Sequence, residues 1–386
     1  MSTRNNLLII FNGLLILNYV LWSVSIHNQF TTGLLIIFLT LTTLVLLKES
    51  ESKNLNIFIF ALLIASWGIQ CWQWDAQTIW LFHAKRIFYD SNLYSQLDGY
   101  SYCCMNDYPN MVPSLSASIA NTVGFWNEIL PKLSSIFFLI TPLILLTNYF
   151  KSNLIKTVFL IFILFFGKKF LINGYIDALL ALNFMGLIIL IEKNKALKNL
   201  ILIIISSCVL VVMKNEGVVL YLIFLISLLI TNKFDKKFIF LTIPYLFYFF
   251  SWKYFVNQTD IQNFMNLGYD SLLRLYDRII NFNDLFTILY SICNQIYPYL
   301  VLLLFTLCFK NNIKKIGILN PIFLNFIGYI TILIVIYLVT PVDLKTHIGQ
   351  SIDRITMPLQ IILIISFLKN LEFLLKDKLE QNNLGL

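Results

Sequence analysis

The sequence predicts an all-α polytopic membrane protein, and three observations set that fold class. Of 386 residues, 58% are hydrophobic and only 12% are charged, more apolar surface than a soluble domain of this size can cover. Apolar runs of roughly bilayer-crossing length recur along the whole chain. Basic residues fall in short clusters between alternate runs, as the positive-inside pattern requires. The net charge of +8 is therefore a topology signal, and no nucleic-acid partner is expected.

The runs number twelve: about 7–26, 32–47, 55–72, 132–150, 155–170, 175–191, 198–213, 217–231, 238–255, 284–309, 316–339 and 356–369. The first, from Leu7, has no cleavage-site pattern and reads as a signal anchor. With Arg4 inside, Lys48, Lys151, Lys193, Lys233, Lys310 and Lys369 all fall in cytoplasmic segments, and so do both termini. No internal repeat divides the chain, so residues 1–386 form a single transmembrane domain. Residues 73–131 make a large external loop with surface helices, and 370–386 a short cytoplasmic tail. The six cysteines show no zinc or CxxC spacing, so no metal is expected, and adjacent Cys103 and Cys104 read as free thiols, with a strained vicinal disulfide as the alternative.

The loop at 73–131 is the longest break between apolar runs. It opens on Trp72-Gln73-Trp74-Asp75, and an amphipathic helix over 76–89 follows, with Lys85 and Arg86 on its wetter face and His83 toward the membrane interface in preference to the pocket. Asp75 precedes that helix as an N-cap, a catalytic base, or both. Asp107 lies in Asn106-Asp107-Tyr108-Pro109, where turn chemistry also favours Asp. A second apolar helix returns the chain to the bilayer near Pro131-Lys132.

Other charges gather on the same predicted side. Asp177 follows Asn173-Gly174-Tyr175-Ile176 at the lip of a span, and Lys214-Asn215-Glu216-Gly217 fill a tight turn between two spans. His347, Asp353 and Arg354 precede the last span. Lys168, Lys169 and Lys345 read as interfacial snorkelers. An ionisable group at membrane depth costs several kcal/mol unless paired or hydrated, so the others point to a shared polar cavity.

Glycosyl transfer from a lipid-linked donor would use this set. The donor's polyprenyl tail needs an apolar groove, and its phosphate needs cations, for which Arg354, Lys214 and Lys132 are the candidates. The acceptor hydroxyl needs a carboxylate base. Asp75 is the expected base, and Asp107 positions acceptor or donor. Glu216, Asp177, His347, Asp353 and Tyr108 are expected to contact substrate. Trp72, Trp74, Trp80 and Tyr108 line the groove or anchor the interface.

These features resemble the GT-C superfamily of membrane glycosyltransferases, in its family 39-like branch related to protein O-mannosyltransferases and the lipid A aminoarabinose transferase. The resemblance rests on Asp75 at a span end, the helix 76–89, Asp107 ahead of Pro109 and Pro113, and Lys132 opening the next span. It extends over about residues 55–360. It departs in placing two spans before the Asp75 loop and in lacking a large C-terminal soluble domain. The resemblance implies an inverting transferase using a polyprenyl-phosphate sugar, with no cofactor or essential metal. The acceptor would be a lipid, glycan or protein at the outer side of a bacterial inner membrane. Two rivals remain: an O-antigen polymerase or ligase, whose key arginines would be Arg274 and Arg278, and a secondary transporter, which would call for matching halves.

Overall fold

Apolar residues dominate every long element, and without water to satisfy its backbone such a chain closes its hydrogen bonds within helices. A computed structural model describes residues 3–50, 52–71, 73–167, 170–192, 199–231, 236–261, 269–308 and 320–384, and among these the regular structure is wholly helical. In order come α1 (Thr3–Ser23), α2 (Gln29–Glu49), α3 (Lys53–Gly68), a π-turn (Ala76–Trp80) running into α4 (Leu81–Asp90), and α5 (Met111–Val123). After a 3-10 turn (Leu130–Leu133) follow α6 (Ser134–Thr147), α7 (Asn153–Gly167), α8 (Asp177–Glu192), α9 (Leu200–Val211) and α10 (Asn215–Thr231). A broken helix combines a 3-10 segment (Lys236–Thr242), α11 (Ile243–Tyr248), a π-turn (Phe249–Lys253) and α12 (Tyr254–Val256). The chain ends with α13 (Tyr269–Ile280), α14 (Phe282–Cys308), α15 (Pro321–Val339), α16 (Leu344–Ile355) and α17 (Met357–Leu384).

Over the described residues, each of the twelve apolar runs overlaps a helix. Among the described residues, seven helices are long and apolar enough to cross a membrane, which makes this a membrane protein in character. The runs at 55–72, 155–170, 175–191, 198–213 and 217–231 form apolar helices of only 10–17 residues, short of the length that the twelve-span count needs. The segment before the last span is helical, with Asp343 capping α16 by accepting from the Thr346 amide at 3.0 Å. α17 continues through Leu384, into the residues expected as the short tail.

The described residues divide into two compact units, Met1–Asn148 with Gly167–Phe264, and Tyr149–Phe166 with Met265–Leu386. Hydropathy does not mark this division.

In the first unit α1 is the central strut. Its buried face repeats Leu8, Phe11, Asn12, Leu15, Asn18, Tyr19 and Trp22 at helical spacing. Asn12 donates to Ser206 of α9 at 2.9 Å and accepts from Thr141 of α6 at 2.8 Å. Asn18 donates to Ser114 of α5 at 3.1 Å, and Trp22 donates to Ser118 of the same helix at 2.7 Å. Interhelical hydrogen bonds of this kind contribute roughly 0.6–1.7 kcal/mol each in apolar surroundings. They fix one register among helices that bare apolar packing would leave free to slide.

In the second unit Glu372 of α17 accepts from the Lys151 and Ser152 amides just before α7, at 2.5 and 2.8 Å. Lys369 pairs with the same carboxylate at 2.7 Å. This capping by a neighbouring helix satisfies donors that α7's own residues leave open.

One glycine fixes the turn that the site needs. A Cβ on Gly217 would lie 2.1 Å from the Leu210 carbonyl oxygen, so only glycine lets α10 start this close to the end of α9. Gly349, inside α16, has nothing within 4 Å of its Cβ position. Gly217→Ala should therefore destabilise by about 1–3 kcal/mol or more, while Gly349→Ala should stabilise by up to about 1 kcal/mol. Thermal unfolding in detergent, run on both variants, checks the pair.

Candidate functional site

The tight turn after α9 and the lip of α8 bring charge together inside the first unit. Lys214 is buried, and its Nζ lies 2.9 Å from Asp177 Oδ1 and 2.9 Å from Glu216 Oε1. Gly217 donates its amide to the Lys214 carbonyl at 2.8 Å, which closes the turn and aims both side chains the same way. The second oxygen of Glu216 is buried without a hydrogen-bond partner. Breaking such a pair leaves charge stranded in low dielectric, a loss of roughly 3–5 kcal/mol. Lys214 also lies 5.6 Å from the centre of the Tyr108 ring.

Tyr108 joins this cluster to a second group. Its ring stacks on Trp80 at 5.6 Å, and Trp80 is delivered by the π-turn ahead of α4. The neighbouring Asp107 is half-buried. Its Oδ2 accepts from Asn215 Nδ2 at 2.9 Å, and Asn215 Oδ1 accepts from the Tyr248 hydroxyl at 3.2 Å. Trp252 donates its indole N–H to the Asp107 carbonyl at 2.8 Å. Both Trp252 and Lys253 come from the π-turn in the broken helix. π-turns change which residues face inward by one position, and they recur where a chain must aim a side chain.

Burial raises the proton affinity of Asp107 above the ordinary carboxylate value. The Glu216 charge pushes the same way, while Lys253 and the Asn215 hydrogen bond oppose it. Tyr108 is likewise held as a neutral phenol, first by burial and then by the Glu216 charge.

Around this centre the predicted residues divide. Asp107, Tyr108, Asp177, Lys214 and Glu216 come together. Lys132 sits nearby, buried, and donates to the Ile69 carbonyl. It lines a narrow cleft with Trp80, Val112, Ser134, Gly174 and Tyr175. Gly174 is needed there twice over, for a φ of +92° and because a Cβ would press on Ala76 at 3.0 Å. Asp75 is half-exposed in helical conformation and makes no capping hydrogen bond, so the N-cap role does not hold. Trp74 is exposed, and Trp72, Lys168 and Lys169 lie outside the described residues.

His347, Asp353 and Arg354 all belong to α16 in the second unit. His347 packs edge-on against Tyr337 at 5.2 Å, and Arg354 donates to the Gln350 carbonyl at 3.2 Å. The arginines at 274 and 278 are also in the second unit and donate to backbone carbonyls of 337–342.

Two expectations for α4 are corrected. Arg86 is buried rather than on a wet face, donating to the carbonyls of Leu93 and Ser95. His83 is fully buried rather than interfacial, with Nδ1 2.6 Å from Asn110 Oδ1. Burial, with Arg86 adding to it, lowers its proton affinity to about 3, so the ring is neutral at physiological pH. The expectation of free thiols holds at Cys103 and Cys104.

Sequence reasoning missed Asn215 as a ligand of Asp107, and it missed Tyr248, Trp252 and Lys253 altogether. The last three sit in an apolar run, in which the lysine is the one charged residue. Comparison with protein-family models, curated proteins and solved structures finds no match.

Two stability outcomes follow from this geometry. Lys214→Met should destabilise by roughly 3–5 kcal/mol, and adding Asp177→Asn should recover part of that loss. Asp107 works with the opposite sign. Its folded-state proton affinity is raised, so the stability it confers is full at low pH and is lost as pH rises through the raised value. Asp107→Asn should therefore leave the melting temperature at pH 8 equal to or above wild type. Detergent-solubilised melts across pH check both.

Proposed function

We propose that the chain is a multi-pass membrane glycosyltransferase that moves a sugar from a polyprenyl-phosphate donor to an acceptor hydroxyl on the extracytoplasmic side. The observation that carries the reading is Asp107, a carboxylate of raised proton affinity fixed by Asn215 and set beside the Lys214 cluster. A base with proton affinity nearer the working pH takes a hydroxyl proton more effectively, and burial is the usual way to obtain one.

In this reading the acceptor oxygen attacks the anomeric carbon from the face opposite the phosphate, and its proton passes to Asp107. The bond from anomeric carbon to phosphate oxygen breaks, and polyprenyl phosphate leaves with the electron pair. Asp107 thus takes the base role that sequence reasoning gave to Asp75. Asp75, half-exposed just ahead of the first π-turn, is assigned the positioning role in its place. Lys214 already serves two carboxylates at 2.9 Å, so it orders the acceptor side of the site and is a poor phosphate clamp. Lys132, held in the cleft beside Trp80 and Tyr175, is the better cation for that task. The resemblance to the GT-C superfamily points to the donor class, and helices long and apolar enough to cross a membrane suit a donor that resides in a bilayer.

The test is transfer of radiolabelled sugar from a panel of polyprenyl-phosphate sugars to membrane extracts. Wild type should transfer from at least one donor, and Asp107→Asn should lose about 10²–10⁴-fold in kcat with its fold intact. Failure of wild type with every donor, or full activity in Asp107→Asn, overturns the reading. Asn215 donates to the ionised form of Asp107 and so favours it. Asn215→Ala should therefore move the rising limb of the pH–rate profile to higher pH, measured across the same assay.

A further inference from the structure

The most strongly two-faced helix in the chain plays no part in the candidate site. α13 presents Leu272, Leu273, Tyr276, Ile279 and Ile280 on one side, each 47–65% exposed. Their spacing of one, four, seven and eight residues is a single helical stripe. The other side carries Ser271, which is buried, together with Arg274 and Arg278.

Those arginines are engaged. Arg274 Nε donates to the Val339 carbonyl at 3.0 Å, and its Nη2 donates to Ser271 at 2.9 Å. Arg278 Nη1 donates to the carbonyls of Tyr337 and Thr340 at 2.8 and 2.9 Å, and Nη2 to that of Val342 at 3.2 Å. The carbonyls of Tyr337 and Val339 belong to the orphan group at the C-terminal end of α15, where the partial negative charge of the helix collects, while Thr340 caps the helix and Val342 lies just beyond it. α15 is among the helices long and apolar enough to cross a membrane. Its C-terminal end is where its apolar run stops.

We propose that α13 is an in-plane anchor that lies on the bilayer surface, with its apolar stripe sunk to the boundary between headgroups and acyl chains. Its depth is set by the hydrogen bonds to the end of α15. The stripe runs on into Phe282 and Phe286 at the start of α14, 75% and 60% exposed, so one apolar surface continues from the anchor into a spanning helix. The chain turns between the two at Asn281, whose amide donates to the Asp277 carbonyl at 3.0 Å and whose carbonyl accepts from the Asp284 amide at 3.0 Å.

The charge balance identifies the kind of lipid contact. Asp270 and Asp277 are exposed and offset Arg274 and Arg278, and the arginine donors already have carbonyl partners. The helix therefore grips by apolar burial and has no preference for anionic headgroups.

Benzoylphenylalanine placed at Tyr276, and separately at Asp277, in the full chain reconstituted into phosphatidylcholine vesicles tests this. Both positions are exposed, so the fold tolerates either. After irradiation, position 276 should give lipid adducts by mass spectrometry at least about tenfold above position 277. Replacing a quarter of the lipid by phosphatidylglycerol should leave the yield unchanged. Equal labelling at the two positions, no lipid adduct from 276, or cross-links from 276 to a second copy of the chain overturns the anchor. A several-fold rise with phosphatidylglycerol overturns the neutral, apolar grip.

Discussion

The site depends on one buried lysine. Lys214 holds Asp177 from the start of α8 and Glu216 from the start of α10, so three helix ends are tied at a single ammonium. Gly217 makes the tie possible by letting α10 begin against the Leu210 carbonyl. Once that turn is fixed, Asn215 points at Asp107 and Tyr108 lies over the ammonium. A charge placed here without partners would cost several kcal/mol. Paired, it orders the residues around it.

The rest of the first unit serves to hold that end steady. The polar residues on the buried face of α1 lock α5, α6 and α9 in register, and α5 and α9 bracket the segments that carry Asp107 and Lys214. The two π-turns then do what regular helices cannot. One turns Trp80 onto Tyr108, and the other turns Trp252 and Lys253 toward Asp107. In the second unit the two arginines of α13 do a simpler task and close off the end of α15.

Apolar spacing made the helices legible, and the turn at Lys214-Asn215-Glu216-Gly217 was legible because four polar residues interrupt two long apolar runs. Much of α4 was readable in principle. Ile79, His83, Arg86 and Ile87 share one helical face, and the spacing alone should have put the histidine and arginine inside. The rule that a charged residue seeks water points the other way, and it fails here because Arg86 finds backbone carbonyls at Leu93 and Ser95. Tyr248, Trp252 and Lys253 were hidden for a different reason. A π-turn leaves no mark in hydropathy, so nothing in the run 238–255 says which residues turn inward. The length of α17 was hidden as well, since its polar final turns carry no apolar period to read.

Asp107 holds its proton more tightly than an ordinary carboxyl group, and infrared spectroscopy can read that directly. The carboxyl C=O band would be followed across pH in wild type and Asp107→Asn reconstituted into vesicles. One carboxyl should ionise above the usual aspartate range in wild type and be missing from the variant. A wild-type titration identical to that of Asp107→Asn in that range would contradict it.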